Sequence, residues 1–549
     1  MDCAVSMGGA SHRPMAWTTS YLGQFTTARV LNRRIVLLSG PTNSGKTHAA
    51  MQRLMQASSG VYLAPLRLMA IENHERLLDS GLDAGLVTGD ERVSPDAPWT
   101  SRTIETMSLN DVVDVGIIDE VQMLSDPDRG WAWTQAILGC PARTLYIAGA
   151  PEAMKSVASL LAVVGERAEI CRFDRLTPLL MLTSPVGLDG LTAGDAVIAF
   201  SRRAVLEIAA LIGEDRAVPL YGAMTPEVRR RVSQMFCTGE RPILVATDAI
   251  GMGLNFPVRR VLFSTTTKYD GRKSRDLLEG EIRQIAGRAG RYGLTEKGFV
   301  GVVSLPGHSA SEHLIRRAIT SPPTPLNMSV WHAGPSPTLL DGLEDSLRAS
   351  SSFMVGLRSV IQMAMKTING ERGAASPFIY KTTIEQERSI SLIDSAMICG
   401  PRLPASILFS YLACPLPIGA DSNNSPASAR LAAWIFNHAC GDHVHLDRNL
   451  LRVPGTLLEQ EQNSRILTGY IWLALKFPDI YVDVDRATQA LETLNRTIIL
   501  ELSRPRVAKH KAKAGRDERA SPDERWENQT TAKGPKTRSR FRRRAASWA

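Results

Sequence analysis

Short apolar runs alternate with longer helix-like stretches over the first 305 residues of the chain. Runs at 35–38, 61–63, 115–118, 145–148, 196–200, 243–246, 261–263 and 299–303 are rich in β-branched residues and separated by helix-length gaps. Runs without polar alternation suit strands covered on both faces, so parallel βαβ units are expected. Eight such strands over roughly 270 residues are too many for one ordinary core, and two consecutive α/β domains are expected. Their boundary is placed near Arg175-Leu176-Thr177-Pro178. The prolines of Ser321-Pro322-Pro323-Thr324-Pro325 forbid helix and central strand and predict a linker. From Leu339 to about Leu502 the chain reads as helical, with 469–477 and 485–498 as examples. Beyond Ser503 large aliphatic residues are few and charges many, which predicts disorder. The expected organisation is an N-terminal arm (1–34), two α/β domains (35–175 and 176–320), an all-α domain (321–502) and a basic disordered tail (503–549).

Composition narrows the class. The 549 residues are 44% hydrophobic and 22% charged, as in globular proteins with sizeable cores. No apolar run approaches the ~18 residues of a membrane helix. The seven cysteines are scattered singly with no CxxC pair, so neither a disulfide framework nor a zinc cluster is indicated and a reducing compartment is expected. Fifteen of the 64 basic residues but only five of the 55 acidic ones lie beyond residue 502. The net charge of +9 therefore belongs to the tail, not to the folded body. The first 34 residues hold four arginines and one acid, a composition like a mitochondrial presequence, with a short disordered arm as the plainer reading.

Candidate chemistry begins at residue 40. Gly40-Pro41-Thr42-Asn43-Ser44-Gly45-Lys46-Thr47 fits G-x-x-x-x-G-K-[ST], follows an apolar run and opens a helical stretch. In a loop of this kind backbone amides and a helix N-terminus wrap phosphates. Lys46 would reach the β- and γ-phosphates and Thr47 would ligate Mg²⁺. Asp119-Glu120 follows the run at 115–118. Asp119 would hold the Mg²⁺ and Glu120 would orient or deprotonate the attacking water. In the second α/β unit Gln284, Arg288 and Arg291 fall at i, i+4 and i+7 of an expected helix, one face with an amide and two guanidiniums suited to a γ-phosphate. Gly287 and Gly290 each cost about 1 kcal/mol in a helix, which points to close approach or an unusual backbone there.

These motifs carry a resemblance. "ATDAIGMGLN" (246–255) and "QIAGRAGR" (284–291) resemble motifs V and VI of superfamily II helicases, and "DEVQ" (119–122) resembles motif II. "GPTNSGKT", "YLAPLRLMA", "LVTGDER", "IDEVQML", "RLTPL", "GDAVIAFSR" and "GYIWLALKFPD" are similar to the ATP-dependent RNA helicase of the mitochondrial degradosome, the suppressor-of-Var-three family, and its bacterial relatives. The resemblance spans about residues 35–499. It implies two tandem RecA-like P-loop domains with ATP and Mg²⁺ in the cleft between them, then an all-α domain. It implies that Gln122 couples hydrolysis to closure and that Gly251 and Gly253 approach the nucleotide. By motif position it assigns Arg67, Thr88, Gly89, Thr103 and Glu105 of one lobe and Ser201, Arg202, Thr247 and Asp248 of the other to nucleic acid. The implied activity is 3′-to-5′ RNA unwinding in RNA turnover, with DNA as a second substrate and an exoribonuclease as partner; the alternative is an RNA-stimulated ATPase remodeller or an RNA-binding scaffold that separates no strands. A monomeric motor is expected, in a bacterial-type cytoplasm, with the mitochondrial matrix as the alternative.

Two departures stand out. The third motif is Ala148-Gly149-Ala150-Pro151, without the hydroxyls common in related helicases, so coupling through a hydroxyl is not expected. Gln24 lacks the neighbours of an adenine-reading glutamine. Trp472 and Phe477 read as core more than as base-stacking residues at their helical spacing, and Cys440-x-x-His443-x-His445 reads as structural rather than metal-binding. Arg mixed with Phe541 and Trp548 in the tail suits RNA or partner binding.

Overall fold

The computed structural model describes residues 21–213, 215–251, 256–270, 273–290, 296–350, 355–370, 376–398, 401–416, 426–453 and 455–503. The first sheet has eight strands: β1 (Arg34–Ser39), β2 (Gly60–Ala64), β3 (Ala84–Val87), β4 (Arg92–Val93), β5 (Trp99–Thr103), β6 (Val113–Ile118), β7 (Ala142–Gly149) and β8 (Ala168–Arg172). Their order is β4-β3-β5-β2-β6-β7-β1-β8, parallel except for β3 with β4. The interior strands are apolar on both faces because helices cover both, and Leu37, Leu63 and Ile117 are fully buried.

The second sheet follows. It holds β9 (Leu179–Met181), β10 (Asp195–Ile198), β11 (Ala217–Leu220), β12 (Ile243–Ala246) and β13 (Arg260–Phe263). A hairpin of β14 (Thr267–Tyr269) and β15 (Ser274–Asp276) stands apart, and β16 (Gly298–Val302) completes the sheet. The order is β11-β12-β10-β13-β16-β9, all parallel. The chain passes from one sheet to the other between Arg172 and Leu179.

All eight strands expected from the apolar runs are present. The strands without such runs have physical reasons for their polarity. β5 is Trp-Thr-Ser-Arg-Thr, yet Thr100 and Ser101 are buried, and the Ser101 hydroxyl donates to the Ala70 carbonyl at 2.7 Å. β8 is an edge strand and largely exposed. β11 carries Pro219, which an edge position tolerates because one side of the strand needs no donor.

The disordered N-terminal arm is corrected for residues 21–33. Tyr21 and Phe25 are buried, and the Tyr21 ring lies 4.8 Å from Phe378 of the helical region. Arg33 is buried too, donating to the Cys140 carbonyl at 2.8 Å and pairing with Glu166 at 2.6 Å. Residues 1–20 lie outside the described residues.

The proline-rich segment at 321–325 is followed by chain laid against the first lobe. The Leu326 amide donates to the Glu152 carbonyl at 2.8 Å, and its carbonyl accepts from the Ser156 hydroxyl at 2.5 Å. Two short strands, β17 (Trp331–His332) and β18 (Phe378–Ile379), then pair in parallel. The rest is helical, ending in the helices Leu457–Lys476, which covers the expected segment 469–477 up to Lys476, and Val484–Ser503, which contains 485–498. The tail beyond residue 503 lies outside the described residues, and so does its expected disorder. Among the described residues no helix is long and apolar enough to cross a membrane.

Candidate active site

Parallel strands present their carboxyl ends at one edge of a sheet, where the following loops make a crevice. The loop 40–45 leaves β1 there, Asp119 and Glu120 leave β6, and Gln122 follows. Gly45 has φ +82°, a left-handed position that glycine adopts without steric cost, and the helix Lys46–Met55 starts immediately after it. Lys46 is buried and folds back to donate to the Pro41 carbonyl at 2.9 Å. The Thr47 hydroxyl lies 3.2 and 3.1 Å from the two oxygens of Asp119.

Asp119 is held from several sides. The Tyr62 hydroxyl donates to it at 2.9 Å and the Glu120 amide at 2.9 Å, while the Trp133 indole donates to its carbonyl at 3.0 Å. Burial pushes its carboxyl up, Glu120 adds to this, and Lys46 draws it down. A buried carboxylate beside a hydroxyl and an ammonium is a hard-oxygen site that suits Mg²⁺ shared with phosphate oxygens. Thr47 and Asp119 therefore fit the implied ion. Among the described residues no group of three or more His, Cys, Asp or Glu could hold a metal ion by protein ligands alone.

Glu120 has φ +51°, uncommon for a residue with a side chain. The Gln122 amide donates to its carboxylate, and the Gln122 carbonyl accepts from the Ala150 amide at 3.1 Å. The third motif thus meets Gln122 through a main-chain amide. Gly149 is required beside it, since a Cβ there would lie 2.6 Å from Val121 Cγ1 and 2.9 Å from Gln122 Oε1.

The second lobe brings Gln284 and Arg288 to this edge. One expectation is corrected: the helix Glu279–Ala286 ends before Arg288, so the residues do not share one helical face. Gly290, at φ +76°, cannot continue a helix, and a Cβ on it would lie 2.5 Å from the Gly298 nitrogen. Arg288 nevertheless reaches the cleft. Its Nε donates to the Gly251 carbonyl at 3.1 Å, and Nη2 lies 3.9 Å from Glu120 Oε1. Burial pushes its pKa down, while Glu120 and Asp119 pull it up. The Gln284 amide approaches the same Gly251 carbonyl at 3.5 Å. Gly253 and Arg291 lie outside the described residues.

The candidate nucleic-acid residues lie near the carboxyl ends of β2, β3, β5, β10 and β12, at the crevice edge of each sheet. Several of them have partners. Arg67 pairs with Asp90 and lies 3.6 Å from Glu227 of the other lobe. Thr88 donates to Asp90 at 3.0 Å, and Glu105 pairs with Arg129 at 2.7 Å. Thr103 is buried. Ser201 caps the helix Arg202–Ile212, Thr247 accepts from the Ala249 amide at 3.2 Å, and Asp248 lies 3.5 Å from Lys268. Arg202 is paired at 2.9 Å with Glu461 from the helical region. Gly89 packs under Trp472, whose indole a Cβ would meet at 2.8 Å. Trp472 is partly buried with Lys476 over its ring at 4.6 Å, and Phe477 stacks on Tyr411. His445 pairs with Asp483 and the Gln24 amide with the Tyr21 carbonyl, local structural roles for both.

Glu461 was not legible as the partner of Arg202. Arg175 opens the "RLTPL" stretch quoted above, but its partners are backbone carbonyls, which leave no mark in the sequence. Glu461 acts on Arg202 from 259 residues away.

Three family models match the chain. The DEXQ-box helicase domain of Suv3 matches residues 9–173, the helicase conserved C-terminal domain 183–293, and the ATP-dependent RNA helicase SUV3 C-terminal domain 457–504. The chain is 33% identical over 490 residues to the mitochondrial DExH-box ATP-dependent RNA helicase DExH16 of Arabidopsis thaliana, covering 86% of this chain and 81% of that protein. It is 33% identical over 480 residues to the mitochondrial ATP-dependent RNA helicase SUV3 of Oryza sativa, covering 84% and 78%. Against the mitochondrial SUV3 of Saccharomyces paradoxus it is 32% identical over 499 residues, with 84% of this chain matched and 64% of the yeast protein's length spanned. A solved structure of S. cerevisiae Dbp5 bound to RNA and ADP BeF3 superposes with a TM-score of 0.39 at 15% identity over 50% of this chain and 80% of that one, too remote to argue from.

Proposed function

The chain belongs to the Suv3 family of ATP-dependent RNA helicases, ATP-hydrolysing enzymes, and on that premise we propose that it couples ATP hydrolysis to 3′-to-5′ movement along RNA and to duplex unwinding in RNA turnover. The observation that carries this reading is the approach of Arg288, from the second lobe, to 3.9 Å of Glu120 on the first. The hydrolytic residues come from two bodies, so the site is complete only when those bodies meet. That is how hydrolysis becomes movement.

In this reading the amides of loop 40–45 and the Lys46 ammonium bind the phosphates, with Gly251 and Gly253 near the nucleotide. Thr47 and Asp119 would hold Mg²⁺, which would supply charge neutralisation on the phosphates. Glu120 orients the attacking water and accepts its proton. Arg288, with Arg291 and Gln284, stabilises charge on the transferred phosphoryl group. Gln122 senses Glu120 and passes the state of the site to the backbone at Ala150.

RNA would lie across the carboxyl edges of both sheets. The assigned residues there are Arg67, Thr88, Gly89, Thr103 and Glu105 on one lobe and Ser201, Arg202, Thr247 and Asp248 on the other. Hydroxyls and loop amides bind phosphate without reading sequence, which suits a motor and admits DNA as a second substrate. Arg67 and Arg202 must exchange carboxylate partners for phosphate to take part. A monomeric motor working with an exoribonuclease fits this role. The bacterial-type cytoplasm favoured by the sequence has no support among the named relatives, which are mitochondrial proteins and support the mitochondrial alternative.

The test is strand separation with ATP on duplexes carrying a 3′ or a 5′ single-stranded RNA tail. The reading expects unwinding of the 3′-tailed duplex alone. RNA-stimulated hydrolysis with both duplexes intact would replace it with a remodelling ATPase.

A further inference from the structure

We propose that Arg175 is a positioning residue for Arg288, a latch that holds the turn carrying Arg288 against the phosphate-binding loop of the other lobe. This rests on the reading that Glu120 and Arg288 serve one hydrolytic site.

Arg175 lies in the connection between the two sheets, and its partners are backbone carbonyls. Its Nε donates to Thr177 at 2.7 Å. Its Nη1 donates to Thr42 at 2.9 Å and to Gly287 at 3.0 Å, and Nη2 donates to Ala289. One guanidinium therefore joins the connection, the phosphate-binding loop and the turn after Glu279–Ala286. Burial lowers its pKa to about 10, so it stays charged at neutral pH. The carbonyls of Gly287 and Ala289 follow a helix C-terminus, where unsatisfied oxygens and the negative end of the helix dipole collect. A cation there caps the helix.

The residues gripped are those on either side of Arg288. Fixing the Gly287 and Ala289 carbonyls fixes the backbone from which the Arg288 side chain reaches Gly251 and Glu120. Asn43 reinforces the grip. At φ +63° it turns its side-chain amide to the Gly290 carbonyl at 2.5 Å, and its own carbonyl accepts from the Leu176 amide at 3.0 Å. Gly287 lets the lobes approach this closely, since a Cβ on it would lie 2.7 Å from Thr42 Cβ. Arginine suits the position because its planar fork can serve several carbonyls at once, whereas a lysine ammonium is a point charge on a flexible stem.

The experiment measures kcat and KM for ATP with single-stranded RNA for the full chain and for Arg175→Lys and Arg175→Ala, each also in an Arg288→Ala background. The expected result is a kcat lower by on the order of 10²-fold, the scale of about a 1 Å misplacement, with KM changed by about twofold or less. Lysine should not rescue it. In the Arg288→Ala background neither substitution should cost anything further, because the group it positions is gone. Unchanged kcat, or the same loss repeated in that background, overturns the inference. A wild-type chain without RNA-stimulated hydrolysis would sink the hydrolytic reading instead. Hydrogen exchange at the Leu176 and Gly290 amides still tests the latch in that case, since Arg175→Lys must accelerate it and unchanged exchange overturns the latch.

Discussion

Gln122 joins Glu120 to the backbone of Ala150: its amide donates to the Glu120 carboxylate while its carbonyl accepts from the Ala150 amide at 3.1 Å. An amide side chain can do both at once, and a carboxylate cannot. Gln122→Glu is therefore expected to place two carboxylates together and to lose the donor. Hydrolysis should fall by less than the roughly 10²–10⁴-fold that a general base itself contributes, and duplex separated per ATP should fall further. Parallel assays of ATP consumed and strand released check this, and an unchanged ratio would remove Gln122 from the coupling path.

Gly149 makes the Gln122 contact possible. Gly149→Ala puts a methyl 2.6 Å from Val121 Cγ1 and 2.9 Å from Gln122 Oε1, so the glutamine must shift. The expectation is a loss of hydrolysis like that of Gln122→Ala, with little added when the two are combined. A double-mutant cycle on kcat measures this, and strict additivity would refute the shared mechanism.

Glu72 gives the stability a pH signature. Burial pushes its carboxyl from 4.5 to about 7, although Arg76 and Arg288 pull it back. The folded chain then holds this proton more tightly than the unfolded chain. Its contribution to stability is present at low pH and is lost as pH rises from about 4.5 to about 7. The loss is at most about 3.5 kcal/mol, at about 1.4 kcal/mol per pKa unit. Glu72→Gln should remove it. Denaturant midpoints at about pH 5 and pH 8 should differ less for the variant than for the wild type, and an equal difference would contradict the assignment.

Much of the two-lobed site was legible before the fold was known. Lys46, Thr47, Asp119 and Glu120 sit beside apolar runs, and a phosphate site needs its residues at strand ends. Gly287 and Gly290 were marked by their helical cost, and the structure shows close approach for one and a positive φ for the other. The helix end at Ala286 was not legible, because Arg288 keeps the i+4 spacing that a continuing helix would have. Asn43 was read only as part of the phosphate-binding loop. Its partner, Gly290, is 247 residues away, and local pattern carries no trace of that distance. Arg175 was named with its "RLTPL" stretch, but its partners were hidden for the same reason, since backbone carbonyls have no sequence signature. β5 was missed because its buried face is made of satisfied hydroxyls instead of aliphatics.

Glu461 fastens the helical region to the second lobe. It is buried, pairs with Arg202 at 2.9 Å and accepts from the Tyr221 hydroxyl at 2.6 Å. Glu461→Ala leaves both donors without their acceptor and should cost about 3 kcal/mol. Tyr221→Phe removes one hydrogen bond and should cost about 1 kcal/mol. Denaturant unfolding of both variants checks the order, and equal losses would assign the stability to packing alone.

The central claim is that hydrolysis needs residues from both lobes. Its most direct measurement is the RNA-stimulated kcat of the wild type, Glu120→Gln and Arg288→Ala. The account predicts that each substitution, one on each lobe, lowers kcat by on the order of 10²-fold or more while ATP still binds. Full RNA-stimulated hydrolysis by Arg288→Ala would contradict it.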